Sequence, residues 1–153
     1  MTDKPDFDVE QVHRHFSTHC FNAAWQLIDK SDRTSEDNEQ MIRLVQASLW
    51  HWTGRPDCSD KNLSIGFWQA SRVYALVGEA DNARKYASLC LDKTPRDDEF
   101  CLGYAYEALA RAELLVGNNA KARQHLADAR RQAEGVSDDE SRQMLVDDLR
   151  TLE

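Results

Sequence analysis

LVGEADNARKYASLCL, residues 76–91, and LVGNNAKARQHLADAR, residues 115–130, decide the fold of this chain. Laid over each other without a gap, they place Gly78 on Gly117, Ala83 on Ala122, Arg84 on Arg123 and Cys90 on Ala129, 39 residues apart. A segment that returns after a few tens of residues marks one supersecondary unit used twice. Leu-Val-Gly reads as the end of a helix, because Gly enters the left-handed conformation that other residues adopt only with strain. Ala83 and Ala122 then lie in a following helix, with Ser71 and Ala110 as the matching small residues upstream. Small side chains on both sides let two helices approach closely. Each unit is therefore predicted to be an antiparallel hairpin, with helices over 60–78 and 81–93, then 97–116 and 119–135.

Helical spacing continues on both sides of the repeat. Val9, Val12, Phe16, Cys20, Ala23, Ala24, Leu27 and Ile28 predict a helix from Asp8 to about Asp29. After a polar stretch, Lys30 to Asp37, a second helix carries Met41, Leu44, Val45, Ser48, Leu49 and Trp52 and ends at Gly54 and Pro56. The last helix starts at Ser137, whose S-D-D-E reads as a capping box, and aligns Met144, Leu145, Leu149 and Leu152 as a face covering an exposed core edge. Gly66 and Gly103, isolated inside helical patterns, read as close-packing points. The expectation is an all-α chain of about seven helices forming a single domain over 1–153. It comprises a degenerate helical pair at 8–54, two units at 60–135 and a capping helix at 137–152.

Composition agrees with this. The 17 Ala and 15 Leu stand against 8 Val and 3 Ile, and 6 Gly and 3 Pro are all that interrupt 153 residues, a balance that favours helix over sheet. With 27 acidic and 19 basic residues the net charge is −8, which repels nucleic acid phosphates and anionic lipid. The densest basic patch, Lys121, Arg123, Arg130 and Arg131, is diluted by Asp128 and Glu134. Neither nucleic acid nor membrane is expected as a partner. No stretch approaches the roughly 18 apolar residues of a membrane span, and MTDKPDFDVE lacks the basic and apolar regions of an export signal, so a cytoplasmic location is expected. Cys20, Cys58, Cys90 and Cys101 form no C-x-x-C pair and read as reduced thiols.

The repeat resembles the tetratricopeptide family. The family's aromatic, small, aromatic, Gly, Ala, small and Pro positions fall on Phe67, Ser71, Tyr74, Gly78, Ala83, Cys90 and Pro95. In the second unit they fall on Tyr106, Ala110, Glu113, Gly117, Ala122, Ala129 and Glu134, with Leu109 and Leu126 as large apolar positions. Glu113 stands where an aromatic belongs, Ala87 where a Phe is usual, and Pro is missing at Glu134. In the first two helices Ala24 and Ala47 take the small positions. Segments such as NLSIGFWQASRVYALVG and GYAYEALARAEL are also similar to small bacterial proteins of this type. The resemblance implies antiparallel hairpins stacked as a short right-handed superhelix, whose first helices line a concave groove. The matching groove positions are Ile65, Trp68, Arg72 and Ala75, then Tyr104, Glu107, Arg111 and Leu114.

Chemistry has few footholds in this sequence. His15 and His19, four apart, could share a metal, with Cys20, His51 and Cys58 converging from neighbouring segments; a polar helix face or a hydrogen-bonded core histidine explains the same pattern. His13 reads as simply exposed. There is no G-x-S-x-G, no phosphate-binding glycine loop, and no cysteine in a setting that lowers its pKa. The acidic runs Asp97-Asp98-Glu99 and Asp138-Asp139-Glu140 read as helix caps. The densest feature is the aromatic set Trp50, His51, Trp52, Phe67, Trp68 and Tyr74, read either as core or as a binding surface.

These readings point to a non-enzymatic interaction module, without cofactor, that binds another protein or peptide through Trp68, Arg72, Tyr104, Glu107 and Arg111. Arg72 and Arg111 are expected to project into the groove, so that replacing them removes binding and leaves folding almost intact. The alternatives are a metal-dependent enzyme or sensor using His15 and His19, and a small-molecule-binding regulatory domain with a pocket formed by Trp50, Trp68 and Tyr74. No sequence feature fixes an oligomeric state.

Overall fold

Seven α-helices and no strand occupy residues 4–153, which the computed structural model describes: α1 Val9–Ile28, α2 Ser35–Thr53, α3 Asp60–Leu76, α4 Ala80–Lys93, α5 Glu99–Leu115, α6 Asn119–Gly135 and α7 Asp139–Arg150. Side-chain caps set most of the N-termini. The Asp8 carboxylate accepts from the amides of Glu10 and Gln11, and Thr34 with Asp37, like Ser59 with Asn62, forms a reciprocal capping box. The Thr34 box starts α2 inside the polar stretch Lys30 to Asp37, so the helix begins before its first apolar residue. At α7 the cap is Asp138, which accepts from the Ser141 amide, and not Ser137.

The repeated glycines do what the repeat requires. Gly78 and Gly117 have φ of 83° and 73°. The Glu79 amide donates to the Tyr74 carbonyl at 2.9 Å and the Asn118 amide to the Glu113 carbonyl at 3.0 Å, the same helix-ending bond in both units. The next helix starts at once and must run back along its predecessor. Ala83, Ala87, Ala110 and Ala129 are fully buried at the crossings, with Ala122 almost so. Ser71 lies there too, its hydroxyl donating to the Ala83 carbonyl at 2.8 Å.

The hairpins α1–α2, α3–α4 and α5–α6 pack most extensively within themselves, and α3 also meets α1 and α5, so the first helices form one layer of a stack. One core joins α1, α2 and α3 through Ala24, Ile28, Met41, Val45, Leu49, Ala70 and Val73. Another joins α5, α6 and α7 through Ala110, Leu126, Ala129, Ala133, Leu145 and Leu149. The close-packing reading of the two glycines holds: a Cβ at Gly66 would meet Leu49 Cδ2 at 2.7 Å, and one at Gly103 would collide with the Leu145 side chain. Ala47 is only half-buried; the small residue at the α1–α2 crossing is Ser48, whose hydroxyl donates to the Ser17 carbonyl at 2.7 Å. Met144 departs from the packed face of α7 and is 52% exposed. No helix of the described residues is long and apolar enough to cross a membrane.

Candidate functional site

The layer of first helices carries a cavity of about 410 Å³, open on one side and nearly all apolar in its lining. Helix spacing explains its walls. Phe21 and Trp25 lie one turn apart on α1, Ile65 and Trp68 on α3, Phe100 and Tyr104 on α5, and α7 adds Met144 and Asp148. The rings make a continuous series: Trp25 to Trp68 at 5.5 Å between centroids, Trp68 to Tyr104 at 5.4 Å and Tyr104 to Phe100 at 5.1 Å. Ile65 and Met144 are exposed at its mouth. The polar side chains are few. The Tyr104 hydroxyl donates to Asp148 Oδ2 at 2.6 Å, and Lys61 Nζ to Asp98 Oδ2 at 2.7 Å.

Of the residues expected in the groove, Ile65, Trp68 and Tyr104 line this cavity, while Arg72, Glu107 and Arg111 do not. Those three form a network beside it. Glu107 is only 1% exposed. It accepts Trp68 Nε1 at 3.0 Å and Arg111 Nη2 at 2.5 Å, and Arg72 Nη1 stands 3.6 Å away. A buried carboxylate needs such partners to remain charged. The two arginines expected to project into the groove turn instead to Glu107, itself withdrawn from the surface: Arg111 is hydrogen-bonded to it, and Arg72 faces it with its buried Nε unpartnered among the described residues. Burial first, and then the neighbouring Arg111 charge, push the Arg72 guanidinium below its ordinary value.

The dense aromatic set is dispersed by the fold. Trp68 enters the cavity, Tyr74 stacks on Tyr86 in the core at 5.4 Å, and Trp50 is 65% exposed against His13. A shared pocket of Trp50, Trp68 and Tyr74 does not form. The histidines are also redistributed. His15 and His19 stack at 5.3 Å on an exposed face, whereas His13, expected to be exposed, is half-buried with its Nδ1 3.0 Å from that of His51. Cys20 is buried, and Cys58 points to the Ser59 carbonyl. The convergence of Cys20, His51 and Cys58 on His15 and His19 does not occur; among the described residues no three His, Cys, Asp or Glu side chains are placed to hold a metal.

Cys90 and Cys101, at the base of the cavity, are held as thiols, since burial pushes them up to about 11 and about 12. A thiol is a poor nucleophile, and what the lining presents is chiefly apolar surface. Phe21, Trp25, Phe100, Met144 and Asp148 were missed in the sequence, although the spacing of Phe21 to Trp25 repeats that of Phe100 to Tyr104. Compared with protein-family models, curated proteins and solved structures, the chain matches none.

Proposed function

We propose that this chain is a non-enzymatic binding module of tetratricopeptide type that takes an apolar segment of another protein into the aromatic groove between α1, α3, α5 and α7. The observation that carries this reading is the series of rings around an open cavity whose mouth, Ile65 and Met144, is exposed and apolar. Aromatic anchors of this sort dominate protein interfaces. The network of Arg72, Glu107 and Arg111 stiffens the wall beside Trp68 and does not meet the partner. A cytoplasmic setting goes with the four unpaired cysteines.

A photo-crosslinking side chain at position 144 tests the reading in an extract of the source cells. It should capture a partner protein, and Ile65→Lys should abolish that capture while melting within about 0.5 kcal/mol of wild type, as exposed substitutions do. Undiminished capture by Ile65→Lys places the interaction on another face. A second reading rests on the cavity volume, about 410 Å³, which falls among small-molecule sites. Native mass spectrometry of freshly purified protein would reveal a bound compound of low mass under that reading.

A further inference from the structure

We infer, on the basis of the groove reading above, that the segment bound there presents a basic residue, its aliphatic stem among the aromatic rings and its ammonium or guanidinium group on Asp148. The walls favour a cation. Trp68 and Tyr104 meet at 77°, Phe100 and Tyr104 at 74°, and Phe21 and Trp25 at 71°, so rings bound the cavity on more than one side. Ring faces carry the negative part of the aromatic quadrupole and attract cations. Two of these rings are further enriched in electrons because they donate to carboxylates, Trp68 through its indole N–H to Glu107 and Tyr104 through its hydroxyl to Asp148.

The charges of the lining agree. It holds one cation, Lys61, which is paired with Asp98, and one anion, Asp148. Among the described residues no cationic side chain lies within ion-pair distance of Asp148, whose carboxylate takes its one hydrogen bond from the neutral Tyr104 hydroxyl. Arg72, which feels the Asp148 charge from beyond ion-pair distance, and Arg111 both face Glu107 and lie outside the lining. A purely apolar occupant would strip water from the Asp148 carboxylate without replacing it, and an anionic one would be repelled. A lysine or arginine side chain supplies both the apolar stem and a counter-charge in direct contact, which Arg72 supplies only from a distance. The net charge of −8 draws a basic segment toward the molecule in the first place.

The test uses two blocked peptides of alternating leucine and lysine, free of tryptophan, one with its lysines acetylated. Titration of the full chain, followed by heat and by indole emission, should show the free-lysine peptide binding on the order of tenfold more tightly. Asp148→Asn, which keeps an acceptor for the Tyr104 hydroxyl, should erase most of that preference. Glu36→Gln, the same change of net charge on the exposed start of α2, should leave it in place. Equal binding of the two peptides overturns the inference while leaving an apolar groove; equal loss in Asp148→Asn and Glu36→Gln overturns it as unspecific attraction. Binding of neither peptide also overturns it, and the groove reading is then decided separately by the crosslink from position 144. If Asp148→Asn unfolds, Asp148→Ser takes its place in the same comparison with Glu36→Gln.

Discussion

The two hairpins α3–α4 and α5–α6 share a frame and differ in what fills it. Gly78 and Gly117 make the same turn, and Ala83 and Ala122 the same close crossing. At the equivalent positions 74 and 113, however, the first unit has Tyr74, stacked on Tyr86 and receiving the Gln46 amide at 3.2 Å. The second has Glu113, 3% exposed and gripped by Arg84 through Nε at 3.1 Å and Nη2 at 3.2 Å. Both side chains reach back to the second helix of the preceding hairpin, Tyr74 by its hydrogen bond with Gln46 on α2 and Glu113 by an ion pair with Arg84 on α4, while the Tyr74 ring stacks within its own hairpin. The turn and the crossing tolerate only small residues, because backbone distance is at stake there. The joint between hairpins asks only that a buried group be satisfied, so its chemistry can change.

The strongest test of this view concerns Arg72 and Arg111, which occupy equivalent positions in the two units and converge on one carboxylate. Replacing both with Ala leaves Glu107 buried with the Trp68 indole as its remaining donor. Breaking a buried pair in this way costs roughly 3 kcal/mol, at the lower end because both arginines are partly solvated. Thermal melting should show a fall of many degrees, and adding Glu107→Gln should recover part of it. A double Arg variant that melts like wild type would mean that the network contributes nothing to the fold.

A smaller effect separates the two joints directly. Arg84→Met strands the Glu113 carboxylate, whereas Tyr74→Phe removes a single neutral hydrogen bond. Urea unfolding should report about 1–2 kcal/mol for the first and about 1 kcal/mol for the second, since Arg84 is 41% exposed and solvent softens its loss. If Tyr74→Phe proves the more damaging, the neutral hydrogen-bonded joint to Gln46 is the stronger of the two and the units are not interchangeable.

How much of this was legible in the sequence follows from where each interaction is encoded. The turns at Gly78 and Gly117 are local, so a comparison of residues 76–91 with 115–130 suffices to find them. Trp68 and Tyr104 follow from the repeat because they lie on its first helices. Phe21, Trp25, Met144 and Asp148 come from α1 and α7, outside the repeated unit, and nothing in the local pattern brings them to α3 and α5. The arginines were misread for a different reason. Position 107 is the equivalent of Trp68, so a residue expected to face solvent in a groove instead faces the neighbouring helix, where Trp68 donates to it. The spacing of Glu107 to Arg111, one turn apart, was the available signal. The His13 contact with His51 joins residues 38 apart and leaves no mark in either helix's own pattern.

The finest difference between the units is protonic. Tyr86 in the first unit packs on Phe67 at 6.0 Å; its equivalent in the second, His125, stacks on Tyr106 at 6.4 Å. Burial pushes the His125 imidazole below its ordinary value, against the smaller opposing pull of Glu113 and Asp128, and its Nδ1 has no partner among the described residues. His51 is lowered in the same direction, by burial first and then by the charge of His13. A histidine whose folded pKa is depressed binds its proton more readily when unfolded. Its contribution is therefore present above the unfolded value, about 6.5, and is lost as pH falls through the folded one. Stability should decline between pH 7.5 and 5.5, a window above the range in which the lowered carboxylates Asp37, Asp98 and Asp138 take up protons. His125→Tyr gives the second unit the residue of the first and should flatten that decline, while His51 preserves the remainder. Melting temperatures of wild type and His125→Tyr at pH 7.5 and 5.5 measure the difference. An unchanged slope would mean that the second unit can protonate His125 without loosening its stack on Tyr106, and that the two units differ in residue identity but not in their response to acid.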